Sequence, residues 1–229
     1  MKTYHQSVAI LIDGAFFLHR YQSLVSKTDT PCEVANTIVR FAQRHVGAGV
    51  YHYRTFFYDC LPFNKRIHHP LTNRVIDFAR TDAFKFRMGL FEELKKKRKM
   101  ALRLGELKDA KTWSFRPGLT RDILAGRKIV ASFEEQDLVY DLRQKGIDIK
   151  IGMDIALLSL KKLVTQIVLV SGDADFVPAS KLARREGIDF ILDPMWSNID
   201  AGLFEHIDGL RSAFPKPGHR SASRSPGHI

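Results

Sequence analysis

The apolar positions of this 229-residue chain fall into short runs with two periodicities. Residues 8–12 are unbroken apolar and stop at Asp13-Gly14, and residues 167–170 stop at Ser171-Gly172-Asp173-Ala174-Asp175. Short unbroken runs rich in β-branched residues read as strands buried on both faces, with the glycine marking the exit. Residues 51–58 are aromatic-rich and form a further strand. Residues 100–104, 111–115 and 188–192 read as shorter ones. Between them lie helical spacings. Residues 16–24 carry one. Thr30-Pro31 caps and opens a second, running to about residue 45 through Val34, Ile38 and Phe41. A third covers most of 70–97, with Phe84, Met88, Phe91 and Leu94 on one face. Ser132 to Glu135 is a capping box, which predicts a helix ending at Gly146. Ile147, Ile149 and Ile151 alternate as a short extended segment, and a helix then fills 152–163. Further helices are expected over 175–186 and, briefly, 199–210. Strands alternating with helices imply a three-layer α/β/α fold with a mainly parallel sheet. The domain is expected over residues 1–213. Residues 214–229 are Pro, Gly, Ser, Arg and His, and read as a flexible basic tail.

Charge sharpens this picture. The net charge is +11. Eighteen basic and seven acidic residues lie between 60 and 130, so this middle insertion carries the whole excess. A basic segment between neutral halves suits a polyanion such as nucleic acid. Cys32 and Cys60 are the only cysteines, which suggests neither zinc nor a disulfide framework. The polar N-terminus lacks a signal-peptide core, and no apolar run approaches the length of a membrane span. The expectation is a cytoplasmic protein with no membrane contact.

Open α/β sheets take ligands just beyond the carboxyl ends of their strands. Asp13 ends the first strand, Asp173 and Asp175 follow a central one, and Asp154 falls in the first turn of the helix expected from Gly152. Four carboxylates in one pocket would repel one another unless a cation neutralised them. Mg²⁺ or Mn²⁺ fits, because hard cations take oxygen ligands and there is no Cys/His set. Such a centre orients water and stabilises the leaving oxygen of a phosphodiester. Each acid also has an ordinary role open to it. Asp13 can cap a turn, Asp154 can favour a helix N-terminus, and Asp173 or Asp175 can cap the next helix.

Two motifs in order, Lys145-Gly-Ile-Asp-Ile-Lys-Ile-Gly-Met-Asp154 and Val168-Leu-Val-Ser-Gly-Asp-Ala-Asp-Phe-Val-Pro178, follow Ile12-Asp13-Gly14. This set resembles the NYN domain, the LabA-like branch of the PIN-like nuclease superfamily, over roughly residues 8–194. The resemblance implies a PIN-like fold and a metal-dependent ribonuclease centre. Its acids fall on Asp13, Asp154, Asp173 and Asp175, with Lys145, Asp148 and Ser171 supporting them from behind. Phe16 stands where the family commonly has Asn. The sequence therefore reads as a metal-dependent endoribonuclease, with Lys95, Lys96, Lys97, Arg98, Lys99, Arg103 and Arg116 holding RNA. Single-stranded DNA and a homo-oligomer stay open. The first rival is a catalytically silent RNA-binding module, which Phe16 favours. The second is a small-molecule phosphohydrolase, which would not need the basic insertion.

Other signals read in more than one way. His68-His69 reads as surface histidines. The run from Lys95 to Lys99 is a phosphate-contacting helix end or a complement to the helix dipole. Trp113 and Phe115 stack an unpaired base or pack a hairpin on the core. Trp196 reads as core.

Overall fold

The computed structural model describes residues 6–217. Its main sheet has seven strands. In chain order these are β1 (Ser7–Asp13), β2 (Tyr51–Cys60), β5 (Met100–Phe115), β6 (Leu138–Lys145), β7 (Gln166–Val170), β8 (Asp189–Asp193) and β9 (Gly209–Leu210). The spatial order is β6-β5-β2-β1-β7-β8-β9. All neighbours are parallel except β5 and β6. β3 (Arg66–His68) and β4 (Val75–Asp77) form a separate antiparallel hairpin. The expected α/β/α architecture is therefore present, mostly parallel with helices on both faces.

The central strands are buried on both faces, as their unbroken apolar runs require. One face carries α1 (Gly14–Leu24), α2 (Pro31–Arg44) and α3 (Asp82–Lys95), packed around Phe17, Ile38, Phe41, Phe57 and Phe91. A short helix, α4 (Leu119–Leu124), belongs to the insertion. The other face carries α5 (Ile147–Leu160), α6 (Val177–Arg185) and α7 (Ala201–Phe204), packed around Tyr58, Ile151, Ile155 and Phe190. α2 starts as its sequence dictates, with Thr30 and Glu33 forming a reciprocal capping box across Pro31. Phe214 is also buried, stacked on Phe41 with ring centroids 4.9 Å apart, so packed chain reaches one residue past the expected domain end. Most of the expected tail lies outside the described residues.

Several expectations are corrected. Residues 132–145 are not a helix. Two short 3₁₀ turns lead into β6, which pairs antiparallel with β5. Ser132 ends the first of these turns, its Oγ accepting the Ile129 amide at 3.3 Å, and the second is capped at Glu134, so the expected Ser132–Glu135 box is not formed. Conversely, residues 147–151 are helical. α5 begins directly after Gly146, whose φ of +81° favours glycine. Ile147, Ile151, Ile155 and Leu158 form its buried face, while Ile149 points to solvent. The two short strands expected at 100–104 and 111–115 are one, with a register shift between Asp109 and Trp113 where Lys111 takes a φ of +54°. α3 starts only at Asp82; residues 66–77 are the β3–β4 hairpin. Leu90, Phe91 and Leu94 form its buried face, with Phe84 and Met88 partly covered.

The insertion builds a small aromatic satellite core on the outer half of β5. Phe63, Phe78, Trp113 and Tyr140 meet edge-on or tilted, with ring centroids from 5.1 to 6.0 Å. His69 is buried here rather than at the surface. Its ring lies against Trp113, and its Nε2 is 3.1 Å from the Glu135 carbonyl. Trp113 packs the arm, and half-exposed Phe115 meets Phe133 edge-on. Trp196 is half-exposed instead of core, with Nε1 donating to the Phe214 carbonyl at 2.8 Å.

Candidate active site at the carboxyl edge of the sheet

β1 carries Asp13 to the edge, where it caps α1: Oδ1 accepts the Phe16 amide at 3.1 Å. The chain can turn there because residue 14 is glycine. A Cβ at that point would sit 2.5 Å from the Tyr58 carbonyl and 2.7 Å from the Phe57 ring. β7 brings up the next acids. Buried Ser171 accepts the Asp173 amide on Oγ at 3.3 Å, and Asp173 Oδ1 accepts the Asp175 amide at 2.9 Å to close a 3₁₀ turn. Asp13 and Asp173 thus each commit one oxygen to a cap. Among the described residues, Oδ2 of each makes no hydrogen bond.

The third contribution comes from α5, and it is Asp148 in its first turn. Burial raises the Asp148 carboxyl above its ordinary range, and the charges of Asp173 and Asp175 raise it further. Burial likewise pushes Asp13 up to about 6, against the lowering by the Phe16 amide and with added repulsion from Asp148 and Asp59. Asp148 therefore lies within electrostatic reach of Asp13 and of Asp173 and Asp175.

Asp154 sits apart from them, six residues further along α5. Its Oδ2 accepts the Tyr58 hydroxyl at 2.8 Å and Arg103 Nε at 3.0 Å. Its charge is matched by Arg103, whose guanidinium also lies over the Phe56 ring. Sequence spacing misplaced Asp154 because it assumed a helix starting at Gly152. With α5 starting at Ile147, Asp148 takes the first-turn position. The Phe16 ring packs on the exit of β7, so that a Cβ on Gly172 would meet it at 3.0 Å. An apolar ring therefore fills the space beside Asp173.

Asp59 escaped the sequence reading, although it closes the apolar run of β2 much as Asp13 closes β1. Its side chain is buried, with one oxygen accepting the Cys60 amide at 2.8 Å and the other paired with Arg87 of α3.

The basic residues divide. The run from Lys95 to Lys99 precedes Met100, which pairs with Thr55, and Thr55 pairs with Ile10. It thus lies toward the amino edge of the sheet, away from Asp13. Lys95 binds Glu92 at 2.6 Å, Lys96 binds Glu93 at 2.7 Å, and Lys97 donates to Asn36 at 2.6 Å. Lys99 donates to the His52 carbonyl and covers the Tyr51 ring at 3.9 Å. Arg98 is exposed. Arg116 joins Asp137 at 2.9 Å and Asp122 at 3.2 Å inside the arm. At the acidic edge the cations are Lys145, opposite Glu106 at the end of β6, and Lys150 in the first turns of α5. Among the described residues neither has an ion-pair partner.

The donor set at the edge is all oxygen, which suits a hard cation. Among the described residues no three His, Cys, Asp or Glu side chains converge closely enough to hold an ion by themselves. The set fits a hydrated Mg²⁺ or Mn²⁺, which keeps several waters and takes one or two carboxylates plus substrate phosphates.

Fold and edge together define a three-layer α/β protein with an acidic carboxyl edge. Residues 110–198 match the NYN domain family, a member of the PIN-like nuclease superfamily. The match includes Asp148, Asp154, Asp173 and Asp175; Asp13 lies outside it. NYN domains are generally nucleases, PIN-like nucleases usually use divalent metals, and a nuclease domain implies a nucleic-acid substrate. The chain is also similar to the crystal structure of a protein of unknown function from Vibrio parahaemolyticus. That similarity has 13% identity and a TM-score of 0.47, over 93% of this chain and 96% of the other. No curated protein matches. Among the described residues no helix is long and apolar enough to cross a membrane.

Proposed function

We propose that this protein is a metal-dependent ribonuclease whose centre is formed by Asp13, Asp148, Asp173 and Asp175. The observation that carries the reading is that β1, β7 and the start of α5 bring these acids to the carboxyl edge, where among the described residues none of them is ion-paired to a Lys or Arg. Uncompensated acids at a ligand-binding edge are costly unless a cation occupies it. A bound Mg²⁺ or Mn²⁺ would supply Lewis-acid stabilisation of the phosphodiester and a more acidic water. Asp13 and Asp173, fixed by their caps, hold their spare oxygens in set directions. Asp148 stands at the N-terminus of α5, where a negative charge is favourable. Lys145 and Lys150 flank it and would bind the phosphates on either side of the scissile bond. Asp154 serves a different purpose, orienting Arg103 and Tyr58 behind the edge.

The test is cleavage of labelled single-stranded RNA and DNA, with Mn²⁺ and with chelator. The reading expects cleavage that requires the cation and disappears in Asp148→Asn and Asp173→Asn. A silent RNA-binding module is the second reading. It is favoured by the Phe16 ring beside Asp173 and by the absence of a close three-acid cluster among the described residues. RNA binding without cleavage, at any Mn²⁺ concentration, would select it.

A further inference from the structure

Beside the acidic edge lies a cavity of about 280 Å³ that the sheet and the insertion form together. Its walls include Phe63, Phe78, Phe84 and Leu107, and the ion pair between buried Asp59 and partly exposed Arg87 also lines it. Thr81 and Ala83, at the N-terminal turn of α3, complete one rim. Three features make this more than a gap in packing. First, it adjoins the candidate centre. Asp59 follows Tyr58, the register partner of Asp13, and its charge reaches Asp13. Second, three phenylalanines offer ring faces or edges around a volume just below the usual range for drug-sized ligands, about 300–1,000 Å³. Third, Arg87 is only partly spent. Its Nη1 donates to Asp59, and among the described residues its other N–H groups have no acceptor, while its side chain stays 29% exposed.

We propose that this cavity takes a single unpaired nucleobase from the RNA strand lying across the acidic edge, and so sets where the strand is cut. The proposal rests on the ribonuclease reading of that edge. The aromatic walls stack or flank the base, as in single-strand binding sites. The spare Arg87 donors select a base with acceptors on its outer edge. Guanine presents two adjacent ones, O6 and N7, which is the arrangement arginine reads best. Asp59 holds the guanidinium in place and, being buried, does not touch the base.

The decisive measurement is binding of fluorescein-labelled single-stranded RNA hexamers in chelator, where cleavage is absent. One series carries a single guanine, adenine, uracil, cytosine or abasic site in an otherwise constant strand. Wild-type protein should bind the guanine strand most tightly and lose about tenfold on going to the abasic strand. Ala83→Trp, which fills the cavity from exposed helix surface, should abolish that difference while leaving binding of the abasic strand unchanged. Phe84→Ala should reduce the difference, and a thermal melt separates this from unfolding. Arg87→Lys keeps a cation on Asp59 and should flatten the order among the bases. If wild-type protein binds RNA but treats the abasic and guanine strands alike, or if Ala83→Trp keeps the full difference, the base pocket is refuted and the ribonuclease reading is untouched. If wild-type protein binds none of the strands in chelator, and none with Mn²⁺ restored, both fall.

Discussion

At the scale of single residues, the proposed centre is built from side chains that do two things at once. Asp13 and Asp173 cap the backbone through one oxygen and keep the other. The ordinary role of each was legible in the sequence, and so was the edge placement. The two were not alternatives. What the sequence hid was the choice between Asp148 and Asp154, because that depends on where a helix starts. This gives a paired prediction. Asp148→Asn should lower cleavage by roughly 100-fold or more, the scale of a lost catalytic carboxylate. Asp154→Asn should act mainly on stability, since it leaves Arg103 and Tyr58 without their charged acceptor. Steady-state rates beside thermal melts distinguish them, and equal loss of activity at unchanged stability would refute the assignment. A second residue-scale prediction concerns Gly14→Ala. The Tyr58 carbonyl is backbone and cannot swing aside, so overpacking should cost about 1–3 kcal/mol in denaturant unfolding.

At the scale of elements, the buried parallel strands were legible because burial on both faces leaves an unbroken apolar run. β6 and α5 were not. β6 carries a helix-like capping box just upstream, but its partner is the distant outer half of β5, and tertiary pairing overrode the local signal. α5 keeps Ile149 and Met153 exposed on its outer face, which disguises the spacing of Ile147, Ile151 and Ile155 as alternation. The charge run from Lys95 to Lys99 looked like a phosphate grip. It lies toward the amino edge, away from Asp13, and is largely occupied by Glu92, Glu93, Asn36 and the His52 carbonyl. Reversing Lys95, Lys96 and Lys97 should therefore leave the salt dependence of RNA binding unchanged. Replacing Lys145 and Lys150 with Gln should flatten it, by about 0.7 in log affinity against log salt for every phosphate that the protein no longer neutralises. Salt titrations of the triple and the double variant give the answer directly, and the reverse outcome would put the strand across the amino edge.

At the scale of the whole molecule, the insertion is an arm held by a second small core and by charge, and its stability should depend on pH. Asp137 is buried where the arm folds back. The Lys128 ammonium holds its carboxyl far below the usual range, helped by the Glu134 amide and by Arg116. A depressed carboxylate contributes its full stabilisation above the unfolded value, near 3.9, and loses it as pH falls below that toward the folded value. Arm unfolding should thus set in below about pH 4, ahead of the apolar sheet core. Intrinsic fluorescence follows this, because Trp113 lies in the arm core while Trp196 lies beside Phe214. Asp137→Asn should melt lower than wild type at about pH 7, because Arg116 and Lys128 lose a charged acceptor, and the two proteins should converge in strong acid where Asp137 is protonated. If the gap between them stays constant from about pH 7 to about pH 2, the carboxylate charge is not what closes the arm. The aromatic contacts of Trp113, Tyr140 and Phe78 would then carry it alone.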